Sequence, residues 1–349
     1  MAKLSLTDKL AKKTFESAKF QQSWNVHMHT FGPILEPAFS ENYQAKVHLT
    51  AALNLISSRQ IAQAFQKLKQ MDKFCETDAD KTAFLFFMGV CFEFMGDREQ
   101  MIDFYCAANE YEHNFYMPYI KVGKVFLSEH AYAPAYENYR AAIDCFTATG
   151  LSDQDKLILG AAYTNLATCL TMMHRYEEAE DALGTSTALC PNVPGRAAVE
   201  AALCALRGDR TAVETCLAAL KEHSPEVHDA VKESTDKILS GTDPLFFTVP
   251  LEEEKMQAFW IWFWGYSQKL LSTLDAQQYA KALTPLGEKL LETFPFLEET
   301  PYIALGRNEK GYVLELKDGY AVAIAHAYGK LLDICPVEVL NIWQFSVVH

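Results

Sequence analysis

The sequence predicts a mainly α protein, an α-α superhelical solenoid of paired helices followed by a small α+β domain. Three observations carry this prediction. Apolar and small residues recur with a period of 34 in the first two thirds of the chain, the breakers SGTDP stand near residue 245, and alternating apolar residues appear beyond that point. We therefore expect a helical cap at 1–44, helical repeats at 45–244 and an α+β domain at 245–349.

The repeat is clearest between two segments that are offset by 34 residues. The matched pairs are Met88 and Val122, Gly89 and Gly123, Phe92 and Phe126, Met101 and Ala135, Tyr105 and Tyr139, and Ala108 and Ala142. A third unit with Leu166-Ala167 follows after 44 residues, and a fourth with Ala201 lies 34 further on. The longer interval indicates an insertion before a helix that Ser152 caps.

These units resemble the tetratricopeptide repeat (TPR). Its helical hairpins carry a large-small pair in the first helix, an aromatic residue or Leu three positions on, and a small residue early in the second helix. The resemblance covers about residues 45–222 and is best in the third unit. A helical solenoid of another kind is the alternative, because all such folds share apolar helix pairs.

The resemblance implies a concave groove that binds a protein or peptide. The positions it assigns to the groove are Phe86, Phe87, Val90, Glu93, Lys121, Lys124, Asn165 and Thr168. Only Lys121, Lys124 and Asn165 fit the family's clamp for a C-terminal carboxylate, so the match is partial. A groove with lysines and phenylalanines suits an extended peptide with an acidic group. The alternative for Phe86 and Phe87 is the hydrophobic core.

The groove positions of the fourth unit are apolar and include Ala198, Val199 and Ala202. An exposed apolar patch of this kind is expected to be covered in a folded protein. The sequence therefore predicts that another part of the chain docks on the last repeat.

The C-terminal region predicts two helices, two short strands around 307–311, a helix at about 320–332 and a closing strand. Its first helix contains the stretch AFWIWFWGY. We expect Trp260, Phe263 and Trp264 to face the sheet, and three other aromatic residues to dock on the last repeat: Phe259, Trp262 and Tyr266. A membrane anchor or a ligand box is the alternative, although the run is short for a membrane span and follows three glutamates.

Composition narrows the function classes. A net charge of −14 and a pI of about 5.2 argue against nucleic-acid binding, which needs Lys and Arg on the surface. We expect no secretory signal and no membrane span, and nine cysteines without metal-ligand spacing indicate a cytoplasmic protein.

Motifs for phosphate-binding loops, serine hydrolases and zinc proteases are absent, and we predict no catalytic residues, cofactor or metal. His27 and His29, with His48, could imitate a metal site, and His326 is expected to lie in a core. The predicted function is a non-enzymatic binding scaffold. A small C-terminal enzyme recruited by the repeats and an acidic inhibitor or immunity-type protein are the alternatives, and the oligomeric state is left open.

Overall fold

The computed structural model describes residues 6–18, 21–25, 43–111, 114–146, 151–275, 279–297, 299–309 and 311–349. The chain forms two compact units. The first comprises Met1–Glu129 and Pro134–Ala162, and the second His130–Ala133 and Tyr163–His349. The sequence predicts domain boundaries near residues 44 and 244. The two compact units are divided at other residues, so these boundaries stay a prediction.

A first helix, α1 (Leu6–Phe15), precedes a series of helices that runs from Tyr43 to Leu239. In order, they are α2 (Tyr43–Ser57), α3 (Ile61–Met71), α4 (Asp78–Met95), α5 (Arg98–Tyr111), α6 (Tyr116–Ser128), α7 (Tyr132–Asp144), α8 (Asp153–Met172), α9 (Tyr176–Leu189), α10 (Arg196–Leu206), α11 (Arg210–His223) and α12 (Pro225–Leu239). Helices α7 and α8 each contribute residues to both units.

Each hairpin turns through one residue in the left-handed conformation. These residues and their φ angles are Arg59 at 57°, Gly96 at 75°, His130 at 57°, His174 at 60° and Gly208 at 75°. The intervals from Gly96 onwards are 34, 44 and 34 residues, which are the intervals of the sequence repeat. The backbone therefore repeats with the side-chain pattern.

A hydrogen bond typical of helix C-termini closes four of these turns. The amide after the left-handed residue donates to the carbonyl five residues earlier: Gln60 to Leu55, Asp97 to Phe92, Arg175 to Leu170 and Asp209 to Cys204. The accepting residues occupy the repeat position that lies three residues after the small residue of the first helix, as Phe92 lies after Gly89.

Glycine lets the two helices of a hairpin approach closely. A Cβ atom at Gly89 would lie 2.7 Å from the ring of Tyr105, and one at Gly123 would lie 3.3 Å from the ring of Tyr139. Both tyrosines are fully buried. The repeated Gly and Tyr are therefore one packing contact used twice.

The insertion before α8 begins that helix as predicted. Ser152 Oγ accepts a hydrogen bond from the Asp155 amide at 3.1 Å, and the Ser152 amide donates to Asp155 Oδ2 at 3.0 Å. This reciprocal pair of hydrogen bonds gives an acceptor to two backbone amides that have no acceptor within the first turn of the helix.

The C-terminal part is an α+β domain within the second unit. Its elements are α13 (Glu253–Asp275), α14 (Tyr279–Thr293), β1 (Ile303–Asn308), β2 (Gly311–Lys317), α15 (Val322–Asp333), α16 (Val337–Leu340) and β3 (Trp343–Val348). The sheet order is β1-β2-β3, with β1 antiparallel and β3 parallel to β2. Helix α15 supplies the crossover that a parallel pair requires. The predicted class, helical hairpins followed by a small α+β domain, is confirmed.

Candidate functional site

Phe86 and Phe87 on α4 lie in the core of the first unit. They are 1% and 2% exposed. Phe86 contacts the rings of Phe87, Tyr105 and Phe115 at centroid distances of 5.1 to 5.4 Å. The assignment of these two residues to a groove surface is therefore corrected to the core, the alternative that the FLFFM sequence left open.

The polar positions next to them form a connected cluster that joins two hairpins. Lys121 Nζ on α6 donates to both oxygens of Glu93 on α4, at 3.0 and 2.9 Å. The hydroxyl of Tyr105 on α5 donates to Glu93 Oε2 at 2.8 Å. Glu93 therefore accepts hydrogen bonds from the Lys121 ammonium of the next hairpin and from the Tyr105 hydroxyl of its own hairpin. These contacts fix the position of the Lys121 side chain. We call Tyr105, Glu93 and Lys121 the groove triad.

The groove triad is part buried and part open to solvent. Tyr105 is fully buried, whereas the side chains of Lys121 and Glu93 are 33% and 41% exposed. Burial first, and then the Glu93 carboxylate, raises the pKa of Tyr105 far above its usual range. The phenol therefore stays protonated and keeps donating to Glu93.

The other groove positions of the first unit flank this triad. Val90 is half-buried one helical turn before Glu93, and Lys124 is exposed on α6 close to one turn after Lys121. The surface consequently presents an apolar residue, an ion pair and an exposed lysine.

Asn165 and Thr168 belong to the second compact unit and are both half-buried on α8. The Thr168 hydroxyl donates to the carbonyl of Thr164 in its own helix at 3.1 Å. Thr164 in turn shares a buried 2.9 Å hydrogen bond with Ser186. A ligand role for Asn165 and Thr168 stays a prediction.

The apolar positions of the α10–α11 hairpin are half-buried: Ala198, Val199 and Ala202. Ala202 packs in a cluster around Ala205, Val213 and Ile238, together with Phe246 and Phe247. Part of this face is therefore covered by α12 and by the segment that follows it.

The side chains of the stretch AFWIWFWGY lie on three sides of α13. Phe259, Trp260 and Phe263 are at most 3% exposed, and Trp260 Nε1 donates to the Leu331 carbonyl at 2.8 Å. The rings of Trp262 and Tyr266 stack at 4.7 Å, and the Tyr266 hydroxyl donates to the Ala282 carbonyl of α14 at 3.0 Å.

Two of the helical faces differ from those predicted. Trp264 is 46% exposed instead of facing the sheet, and Phe259 is buried in the domain's own core. The buried stripe also includes Met256 and Leu270, and it therefore centres on Phe263. At about 100° per residue, Trp264 then lies well off that stripe. Phe259 is therefore corrected to that core, while docking of Trp262 and Tyr266 on the last repeat stays a prediction.

A contact that the sequence did not predict joins the α8–α9 hairpin to the C-terminal domain. His174 Nε2 lies 2.6 Å from the carbonyl oxygen of Tyr320, and His174 Nδ1 lies 2.8 Å from the hydroxyl of Tyr176. A carbonyl only accepts, so Nε2 donates to Tyr320, and in the neutral imidazole Nδ1 then accepts from the Tyr176 hydroxyl. The Phe246 ring meets the His174 ring edge-on at 5.8 Å.

Two backbone bonds extend this junction. The Val322 amide donates to the Leu245 carbonyl at 3.2 Å, and the Ala323 amide donates to the Pro244 carbonyl at 3.1 Å. The sequence held one signal, because His130-Ala-Tyr132 repeats as His174-Arg-Tyr176, and His130 Nδ1 also lies 2.9 Å from the Tyr132 hydroxyl. Nothing in the sequence indicated Tyr320 as the partner.

Within the described parts of the chain, no group of three or more His, Cys, Asp or Glu side chains could hold a metal. His27 and His29 lie outside the described residues. His48 stacks on Phe74 at 5.3 Å, and His326 is half-buried. Among the helices that the structure describes, none is long and apolar enough to cross a membrane.

Comparison with known proteins finds similarity among solved structures. No protein-family model and no curated protein matches the chain. MamA of Desulfovibrio magneticus RS-1 is 15% identical, with 52% of this chain and 96% of that chain covered and a TM-score of 0.43. The protein pilF of Pseudomonas aeruginosa is 12% identical, with 73% and 93% covered and a TM-score of 0.40. The C-terminal part of a TPR repeat-containing protein from Cytophaga hutchinsonii is 13% identical, with 83% and 96% covered and a TM-score of 0.38.

The assignment of the fold rests on features of the chain itself. Its helical hairpins turn through left-handed residues at the intervals of the sequence repeat, and two of them share the same Gly–Tyr contact. The chain is a TPR-like helical repeat protein with a C-terminal α+β domain.

Proposed function

We propose that the protein is a non-enzymatic interaction scaffold, and that the surface around the groove triad binds an extended peptide carrying an acidic group. The observation that carries the proposal is the pairing of Glu93 with Lys121 across two hairpins, beside half-buried Val90 and exposed Lys124. Such a surface offers apolar contact and directed positive charge side by side, which is what an extended acidic peptide needs.

Lys124 is the first contact in this proposal. Its exposed ammonium meets the peptide carboxylate directly. Lys121 is the second contact, because an exposed ion pair contributes only about 0.2 to 1 kcal/mol, and a ligand carboxylate can therefore compete with Glu93 for the Lys121 ammonium. Tyr105 keeps Glu93 in place while Lys121 turns to the ligand.

Affinity capture from native cytosol at low salt tests this role. The intact chain is compared with Lys124→Glu and with Lys156→Glu, a matched charge reversal at the first turn of α8, where an acid is favourable. We expect the intact chain and Lys156→Glu to retain one partner that Lys124→Glu loses. A partner that binds all three equally would overturn the proposal.

We further propose that the protein works in the cytoplasm, as its cysteines indicate. All nine carry thiols in the structure, and burial raises the pKa of Cys169 to about 12 and that of Cys91 to about 11. Thiols of this kind are slow to oxidise.

The net charge of −14 favours a second candidate within the binding class, an acidic inhibitor or immunity-type protein that blocks a basic target. In that case the complex weakens steeply with salt, and reversal of one lysine strengthens it slightly. The same capture experiment, repeated at increasing salt, separates the two candidates.

A further inference from the structure

Strand β1 is an edge of the C-terminal sheet, because β2 alone pairs with it among the strands that the structure describes. The Lys317 amide donates to the Tyr302 carbonyl at 3.1 Å, and the pairing continues without a bulge to the end of β1. Alternate residues of an antiparallel strand bond to the same neighbour, so the backbone of Tyr302 and of every second residue after it bonds to β2. The backbone of the residues between them points away from the sheet: Ile303, Leu305 and Arg307.

This outward edge of β1 is open. Among the described residues, no other segment makes a backbone hydrogen bond to Ile303, Leu305 or Arg307. Natural edge strands are often blunted by lysine, proline or a β-bulge, and β1, with the sequence IALGRN, has none of these. On the side of the sheet away from the domain core, a Cβ atom built at Gly306 meets nothing within 4 Å. There is therefore room on that side for the side chains of a further strand.

The side chains on the core side of β1 give this edge a pattern. Ile303 is buried and Leu305 is half-buried in the core of the domain, and Arg307 is exposed. The Arg307 guanidinium lies 5.2 Å from the centre of the Tyr312 ring, and no carboxylate of the described residues pairs with it. The edge thus offers two apolar positions and then a cation without an acidic partner, in a chain whose net charge is −14.

We propose that β1 binds an extended segment of another protein as an antiparallel fourth strand, with an acidic residue opposite Arg307 and apolar residues opposite Leu305 and Ile303. Directly opposite residues of an antiparallel pair lie on the same face of the sheet. The segment therefore reads acidic, any, apolar, any, apolar from its N-terminus. Main-chain hydrogen bonds to the edge supply affinity, and the side chains at alternate positions supply specificity.

A second copy of the chain would not supply the acidic residue. Within Ile303–Asn308 the only charged residue is Arg307. If two β1 strands paired antiparallel through their outward residues, Arg307 would face Ile303, Leu305 or another Arg307. Charge complementarity therefore favours a different protein as the partner.

A probe peptide tests the hydrogen bonds. Acetyl-Thr-Glu-Thr-Val-Thr-Val-Thr-amide places its Glu opposite Arg307 and its first Val opposite Leu305. The amide of that Val faces β1, so we expect its N-methylation to weaken binding by about tenfold or more. N-methylation of the threonine before it, whose amide faces away from β1, is the matched control and should leave binding unchanged.

Amide-resolved hydrogen exchange locates the peptide. At a peptide concentration of about ten times Kd, exchange at Leu305 and Arg307 should slow about tenfold. Exchange at Phe345, on the other edge strand of the sheet, should stay unchanged.

Charge reversal tests the specificity. Arg307→Glu should weaken binding of the probe by about tenfold, and a probe with Lys in place of Glu should restore it. Arg210→Glu, at an exposed arginine in the first turn of α11 where an acid is favourable, is the matched control and should bind the original probe as the intact chain does. Each measurement is repeated in a Lys124→Glu background, so that binding at the groove proposed above is not mistaken for binding at β1.

Circular dichroism verifies that Arg307→Glu keeps its fold. A chain that does not bind the probe would overturn the proposal, as would equal binding by Arg307→Glu or equal binding of the two N-methylated probes. If the β1 amides were protected without peptide, and increasingly so at higher protein concentration, the partner would be a second copy and the proposal would be wrong.

Discussion

Helices α4 and α13 are both crowded with aromatic residues, yet they use them differently. In α4 the run FLFFM is enclosed by neighbouring helices, and Phe84, Phe86 and Phe87 are at most 9% exposed. In α13 the run AFWIWFWGY is covered over only part of its circumference, so Phe259 and Phe263 are buried while Ile261 faces solvent. Aromatic density therefore does not distinguish a buried core from an exposed face. The number of neighbouring helices does.

Truncation of a single side chain should change the unfolding free energy much more in α4 than in α13. Phe86→Ala removes a ring with three aromatic neighbours, and we expect a loss of about 3 to 5 kcal/mol in the unfolding free energy of the first unit. Ile261→Ala should change stability by less than about 0.5 kcal/mol, because its side chain is mostly in water. Urea denaturation followed by circular dichroism measures both, and equal losses would contradict the comparison.

Two helical glycines should respond with opposite signs. Gly89→Ala drives a methyl group into the Tyr105 ring, 2.7 Å away, and should cost about 1 to 3 kcal/mol. Gly265→Ala meets open space and should stabilise α13 by up to about 1 kcal/mol through helix propensity. Thermal melts of the two variants test the signs. A stabilised Gly89→Ala variant would show that the hairpin contact is looser than described.

The attachment of the C-terminal domain should depend on His174 more than on α13. His174→Asn tolerates the left-handed backbone but is too short to reach the Tyr320 carbonyl. We expect hydrogen exchange in Asp243–Phe247 and at Val322 to rise by roughly tenfold, because a hydrogen bond is worth about 1 kcal/mol or more.

Trp262→Ala is the matched variant on α13. It should loosen the contact of α13 with α14 and leave exchange at residues 243–247 unchanged. If it accelerates exchange at Ala198–Ala202 instead, the aromatic helix docks on the α10–α11 hairpin, the last repeat, as the sequence predicted.

The smallest effect concerns charge on α4. Glu93→Gln keeps an acceptor for the Tyr105 hydroxyl but no longer holds the Lys121 ammonium as an ion pair. An acidic partner should then bind several-fold more tightly, since Lys121 is available to it. Glu129→Gln, which removes the carboxylate that pairs with Arg98, is the control. Weaker binding by Glu93→Gln would indicate a basic partner, and titration calorimetry with the captured protein provides the measurement.

The repeat was predictable because its contacts are local. Gly89 and Tyr105 lie in one hairpin, and Gly123 and Tyr139 repeat them 34 residues later, so one sequence comparison reveals both. The order of elements after residue 250 was predictable for the same reason, since alternation and helix breakers are local signals.

Burial on a given helical face was less predictable. Phe86 and Phe87 occupy positions that a family groove would use, but the ring of Phe115 and the second helix of the hairpin enclose Phe86. The buried stripe of α13 centres on Phe263, and Trp264, the next residue, points about 100° away from that centre and is exposed instead of buried. The contact between His174 and Tyr320 spans 146 residues, and no local pattern encodes such a pairing.

That long separation has a consequence for how the protein is made. Hairpins of the first unit can close during translation as soon as their second helix has been synthesised, because their contacts span a few tens of residues. His174 must wait for another 146 residues before its acceptor exists. Until then its imidazole, the Phe246 ring and the backbone of Pro244 and Leu245 lack the partners they have in the native state. The α8–α9 hairpin therefore keeps a hydrogen-bonding side chain without its native acceptor until the C-terminal domain has been synthesised.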